Sequence, residues 1–244
     1  MRRAIILASA GFVLVLILRF PARWISPLLP HGVHCQQLDG SIWSGTCTGF
    51  SNGVAALGDL SWELHPLQLL RGRLGLHVDL TNQANYLRGD VALGFGGAVH
   101  ATNVSLDLPL TSALVSSLPA GAHARLSGKL ARIEWTGKFL ADLQGELDVE
   151  NFVGSQGTAF GSYQAIFEPR SASARNDMPR AAVHDSGGPL ALEATLQLNR
   201  DPGYVLDGRI AARASASPDI ADQLKYFGSP DAAGRRPFSL TGTF

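Results

Sequence analysis

Arg73-Leu-Gly-Leu-His-Val-Asp-Leu80 alternates apolar and polar residues without a break. Leu74, Leu76, Val78 and Leu80 fall on one side, and Arg73, Gly75, His77 and Asp79 on the other. Side chains in a strand point to opposite faces in turn, so period two with one apolar side describes a strand packed on one face and wet on the other. The pattern recurs outward from this stretch. Leu87, Val91, Leu93 and Phe95 share a face, as do Val104, Leu106 and Leu108. Leu190, Leu192, Leu196 and Leu198 alternate with Ala191, Glu193, Thr195 and Gln197, and Tyr204, Leu206 and Ile210 with Asp207 and Arg209. Twenty-seven glycines among these aliphatics suit many short strands and turns. The reading is a mainly β protein, a long curved antiparallel sheet with few short helices. Leu74, Leu76, Val78, Leu80, Leu192, Leu196 and Leu198 should be shielded, and Arg73, His77, Asp79, Glu193 and Gln197 exposed.

Helical patterns are short. Ser217 to Gly228 has an N-cap candidate, Pro218 in the first turn and a closing glycine. Thr111 to Leu118 is a second candidate, and Pro66 to Leu70 a single turn. The Ser-, Ala-, Arg- and Pro-rich stretch 168–189 reads as a mobile surface loop. A weak repeat has an offset of 73 residues: Trp62 then Gly72, Leu74 and Leu76; Trp135 then Gly145, Leu147 and Val149. It implies two similar β units stacked edge to edge, although Gly- and Leu-rich strands also produce it by chance.

The N-terminus gives the location. Arg2 and Arg3 precede the apolar run Ala4–Leu18; Arg19 and Arg23 follow, with Phe20 and Trp24 among them. Fifteen helical residues span roughly 22 Å against a hydrocarbon core of roughly 30 Å, a gap that flanking arginines and aromatics can bridge. A cleaved signal peptide is the rival, but no Ala-x-Ala follows Leu18. Residues 1–24 are therefore read as a cytoplasmic tip and uncleaved transmembrane anchor, 25–33 as a Pro-rich spacer, and 34–244 as a periplasmic β domain.

Cys35 and Cys47, the only cysteines, fit an oxidising compartment and a disulfide. Free thiols or, with His31 and His34, a zinc site remain open. An Asp39-Gly40 two-residue turn would set Cys35 opposite Ser44, so a bridge to Cys47 requires a longer loop or a bulge.

Function classes narrow from the same residues. Twenty basic and twenty acidic residues give a net charge of zero, without the basic excess of a nucleic-acid binder. The sequence lacks a Ser-x-x-Lys and a His-Glu-x-x-His, and Gly94-Phe-Gly-Gly97 lacks the lysine of a phosphate loop. No catalytic residue and no cofactor are assigned.

Three further stretches stand out: Gly40-Ser-Ile-Trp-Ser-Gly45; Trp62-Glu-Leu-His-Pro-Leu-Gln-Leu-Leu-Arg-Gly72; and Phe227-Gly-Ser-Pro-Asp-Ala-Ala-Gly-Arg235. In this order, behind an N-terminal anchor, they resemble the type II secretion system protein N family. Within them Gly40, Trp43, Gly45, Trp62, Pro66, Gly72, Gly228, Pro230, Asp231, Gly234 and Arg235 carry the resemblance and are the candidate contact residues. Two features depart from it: Tyr204 stands where the family often has Trp, and 168–189 looks like an insertion. The resemblance implies a single-pass inner-membrane protein of the Gram-negative envelope, N-terminus cytoplasmic. It implies an accessory, non-catalytic role in exporting folded proteins, beside platform and secretin subunits. The family also looks similar to AsmA-type proteins with curved sheets, which implies a lipid- or hydrophobe-binding groove as the alternative. An outer-membrane barrel is disfavoured by the missing cleavage site.

Overall fold

The computed structural model describes residues 19–24, 32–53, 55–66, 68, 72–83, 85–115, 118–169, 178–201 and 203–243. The anchor reading of Ala4–Leu18 and most of the spacer lie outside them. Among the described residues no helix is long and apolar enough to cross a membrane.

Thirteen strands form one sheet in which each neighbours the next in sequence. They are β1 (Gln37–Gly40), β2 (Ser44–Ser51), β3 (Ala56–His65), β4 (Arg73–Asn82), β5 (Asn85–Gly94), β6 (Val99–Thr111), β7 (His123–Trp135), β8 (Leu140–Val153), β9 (Ala159–Phe167), β10 (Arg180–Gly187), β11 (Leu190–Leu198), β12 (Gly203–Ala212) and β13 (Arg236–Thr243). The order is that of an open antiparallel meander, with β1 and β13 at its ends. The chain divides into two compact units, residues 1–92 and 93–244.

In the first unit the alternation that opened the sequence reading sets the register. Leu60, Trp62 and Leu64 of β3 stand opposite Leu80, Val78 and Leu76 of β4, while Ser61 and Glu63 oppose Asp79 and His77. Apolar thus meets apolar on one face. The polar face is tied to β5 by charge: His77 Nδ1 lies 2.8 Å from Asp90 Oδ1, and Arg88 Nε 3.7 Å from Asp79. The apolar face is less covered than expected. Leu80 is buried, but Leu74, Leu76 and Val78 are only half-buried, because among the described residues no second layer covers them. His77 and Asp79 are likewise not fully exposed, since their cross-strand partners shield them.

In the second unit Val104, Leu106, Leu130 and Leu143 are buried along β6, β7 and β8. Leu192 and Leu198 of β11 are buried, Leu196 and Gln197 half-buried, and Glu193 exposed. Among the described residues this unit is covered by a helical segment. Helix α1 (Pro218–Gln223) begins at Ser217, whose Oγ accepts from the Ile220 N–H at 3.4 Å, and continues as a 3₁₀ turn over Leu224–Tyr226. It sets Ile220 and Leu224 against Leu190, with Phe160, Ile210, Ala216 and Phe227 packed around them.

Three expectations are corrected. The presumed loop 168–189 contains β10, with Ala181 and Val183 paired to Phe167 and Ala165 on one side and Leu196 and Ala194 on the other. Its flanking Pro179, Gly188 and Pro189 hid a strand that two neighbours impose. Of the helix expected over Thr111 to Leu118, the described part is not helical: Thr111 is still a rung opposite His123, and residues 112–114 form a turn. The tryptophan repeat does not survive pairing either. Trp62 faces Val78, with Gly72 in the turn before β4, whereas Trp135 faces Leu140 and Gly145 lies inside β8. Equal spacing along the chain is not equal position in the ladder, because the two connections differ in length.

Candidate functional site

The first candidate stretch folds as the tip of the β1–β2 hairpin. Gly40 stands opposite Gly45, so the loop is Ser41–Ser44 and not Asp39-Gly40. Gly40 has φ +92°, which favours glycine, and Ser44 O leaves no room for a Cβ there. The Ser41 hydroxyl accepts from the N–H groups of Trp43 and Ser44, both at 3.2 Å, holding the loop by a local turn. β3 then grips the tip. The Trp62 indole N–H donates to Ile42 O at 3.2 Å, and the Leu64 N–H to Trp43 O at 2.6 Å. The Trp62 ring lies on Gly45, where any Cβ would collide with it. The longer loop, with a register shift beyond Cys47 and Gly49 at φ +64°, brings Cys35 and Cys47 to a Cα–Cα distance of 5.5 Å, joined as a disulfide.

These pieces frame an apolar concavity of about 290 Å³, lined by the disulfide and by Leu38, Ile42, Phe50, Leu60, Trp62, Leu64, Leu76 and Val78. The one side-chain N–H of that lining, the Trp62 indole, is spent on Ile42 O. Residues 19–24 dock on the same tip: Pro21 bridges Ser41, the Ile42 N–H donates to Phe20 O at 3.0 Å, and Ala22 is buried. Phe20 and Trp24 pack edge to face at 5.8 Å, with Trp24 largely exposed.

The second stretch runs from β3 into a connection of which Pro66, Gln68 and Gly72 are described. Pro66 is exposed, and Gly72 has φ +70° just before β4.

The third stretch lies in the other unit and braces the start of β13. Asp231 is its hub. Oδ1 accepts from the Ala233 and Arg235 N–H groups, both at 2.9 Å, and Oδ2 from Arg235 Nε at 3.2 Å. The Arg235 backbone N–H, with help from that of Ala233 and from the guanidinium, holds the Asp231 carboxyl below the usual carboxylate range. Gly234 has φ +75°, Pro230 is exposed, and Arg235 also reaches Glu193 at 3.5 Å. Gly228 O accepts from Arg236 at 3.0 Å, and Phe227 meets Phe238 edge to face at 6.1 Å.

Gly40, Trp43, Gly45 and Trp62 therefore form one constellation, and Gly228, Asp231, Gly234 and Arg235 another. Ile42, Leu64 and Phe50 belong to the first and were not singled out; their alternation was visible, but the shared concavity needs the pairing of β2 with β3. A third cluster was missed. Asp185 accepts from the Leu192 N–H at 2.7 Å and pairs with Arg213, which also donates to Gly188 O at 3.1 Å. Beside it Tyr163 donates to Phe160 O at 2.7 Å, and burial, then the Asp185 carboxylate, push its phenol up to about 12. Among the described residues no group of three or more His, Cys, Asp or Glu is placed to hold a metal.

The model of the family described as type II secretion system (T2SS), protein N, matches residues 31–239, from the spacer into β13. The type II secretion system protein N of Vibrio cholerae serotype O1 (strain ATCC 39315 / El Tor Inaba N16961) is 24% identical over 259 residues, covering 99% of each chain. That of Aeromonas hydrophila is 23% identical over 250 residues, covering 97% of this chain and 95% of its own. No solved structure matches. All three candidate stretches fall within the matched span, and the chain belongs to the type II secretion system protein N family.

Proposed function

We propose that the chain is an accessory component of a type II secretion system, held at the inner membrane by Ala4–Leu18, with the residues from about Pro30 onward in the periplasm. It works by binding platform or secretin subunits and not by catalysis. The observation that carries this reading is the family match over residues 31–239. The braced turns support it: the Gly40–Gly45 tip and the Asp231 loop are preformed surfaces that lose little freedom on contact. The test is a deletion strain assayed for export of type II substrates, with photo-crosslinkers at Trp43 and Pro230 of the complementing protein. Failed export with crosslinks to secretin or platform subunits is expected. Normal export with no such crosslink would defeat the proposal.

One observation favours a second reading, a hydrophobe-binding module. The apolar side of the first unit is only half covered and contains the 290 Å³ concavity, which offers apolar contacts and no free side-chain donor. Such a lining suits an acyl chain. A fluorescent fatty acid should then bind the purified chain and be lost on Leu76→Glu substitution; no binding would retire this reading and leave the first intact.

A further inference from the structure

The two ends of the sheet are finished differently. β1 is four residues long, carries Asp39, whose carboxylate accepts from Gln37 at 2.7 Å, and has residues 19–24 docked at its tip. Shortness, charge and a covering segment are the usual means of keeping an edge from pairing. On β13 such devices are confined to its first two residues, Arg236 and Pro237, and among the described residues no segment is paired to its outer edge. β13 is eight residues long, pairs with β12 along its whole length, and carries no charged side chain between Pro237 and Thr243. Leu240 is 48% exposed, although Leu206, its counterpart on β12, is half-buried. The strand is also held rigid at its start by the Phe227–Phe238 contact and the Arg236 bond to Gly228 O.

We propose that the outer edge of β13 pairs antiparallel with β13 of a second copy of this chain, about a two-fold axis at Leu240. The argument is the order of residues about that point. Ser239 and Thr241, Phe238 and Gly242, and Pro237 and Thr243 are equidistant from Leu240, so in a two-fold antiparallel pair each faces the other. β12 shows what this strand accepts: it sets Gly208 opposite Phe238, Leu206 opposite Leu240 and Tyr204 opposite Gly242. A second β13 sets Gly242, Leu240 and Phe238 at the same three places, again glycine, leucine and an aromatic ring. On the other face the pair brings hydroxyl to hydroxyl at Ser239 and Thr241. The single charge on the strand, Arg236, falls at opposite ends of the new ladder in the two copies, so no like charges face each other. Backbone groups left open at the edge are satisfied, and the exposed Leu240 is covered by its own copy.

Register-specific crosslinking tests this. The native cysteines are joined to each other, so a cysteine introduced into the full-length chain is its one free thiol. Directly opposed residues in an antiparallel pair have Cβ atoms about 4.5–5.5 Å apart, near enough for a disulfide with slight adjustment. Leu240→Cys is expected to oxidise largely to a linked homodimer. Ser239→Cys alone should link poorly, because it faces position 241, while an equal mixture of Ser239→Cys and Thr241→Cys should link efficiently. Adding Ser239→Lys to the Leu240→Cys chain should abolish the crosslink with an unchanged circular dichroism spectrum. Leu240→Cys linking no better than Ser239→Cys would overturn the proposal. Leu240→Cys capturing a different secretion component in cells, in place of its own copy, would also overturn it and give the edge to a foreign strand. Neither result touches the family-based reading, which rests on export.

Discussion

The two units apply one pattern to different ends. Both alternate apolar and polar residues along antiparallel strands, and both carry cross-strand ion pairs. In the second unit a short helical segment sits on the apolar side and buries its own Ile220 and Leu224 against Leu190. In the first unit, among the described residues, no helix covers that side. There the hairpin is held by a covalent bridge, by Trp62 lying on Gly45, and by the indole bond to Ile42 O. Where burial is incomplete, hydrophobic stabilisation is smaller, and cross-links and specific braces carry more of it.

The sharpest way to break this comparison is to remove equivalent apolar groups from each unit. Ile220→Ala, on the buried side of α1, should cost about 3–4 kcal/mol, within the usual range of about 2–5 for a buried aliphatic. Leu76→Ala, on the half-covered side, should cost about 1 kcal/mol, since much of its surface already meets water. Urea unfolding of both variants checks the difference; equal losses would mean the first unit's apolar side is covered after all.

Paired Cys35→Ser and Cys47→Ser substitution should cost roughly 3 kcal/mol in the chain-entropy picture for a loop of this length. The loss should be local. Limited proteolysis is expected to open the segment around residues 41–53 while β11–β13 stay protected. Simultaneous cleavage in both units would show that the bridge supports the whole sheet.

Ser217→Ala tests the cover itself and should cost about 1 kcal/mol, the ordinary worth of an N-cap hydroxyl. If α1 is what buries Leu190, the same variant should also speed hydrogen exchange at Leu190 and leave Leu60 unchanged.

The smallest effect concerns pH. The Tyr163 phenol is raised to about 12 from 10.0, so the unfolded chain loses this proton first as pH climbs. The sign follows: between about pH 10 and 12 the unfolded state binds fewer protons, and stability falls with rising pH. Below pH 10 the group contributes no slope. Tyr163→Phe should therefore unfold with a shallower decline than the parent over that window, measured as denaturant midpoints. Parallel declines would show that burial does not perturb the phenol.

How much of this was legible in advance depends on the range of the interaction. Leu74 to Leu80 and Leu190 to Leu198 announced strands because a period of two is written into neighbouring residues. Ser217-Pro218 announced a helix start for the same reason. β10 was not legible: Arg180 to Gly187 has weak alternation between prolines and glycines, and its strand state comes from the partners on either side. The grouping of Gly40, Trp43, Gly45 and Trp62 was suggested by family resemblance, whereas their physical linkage is a matter of register.

By itself, then, the sequence determined the strand class of Leu74 to Leu80, Val104 to Leu108, Leu190 to Leu198 and Tyr204 to Ile210, the sided character of those strands, the helix start at Ser217-Pro218 and the family. Those properties are carried by residues within a few positions of one another and by ordered motifs. Only the tertiary structure decided which apolar side is covered and where the concavity lies. It alone made Asp185 and Arg213 partners and placed β13 at the end of the sheet. Each of these depends on which segments meet across the ladder, and a one-residue slip there exchanges every side chain between faces.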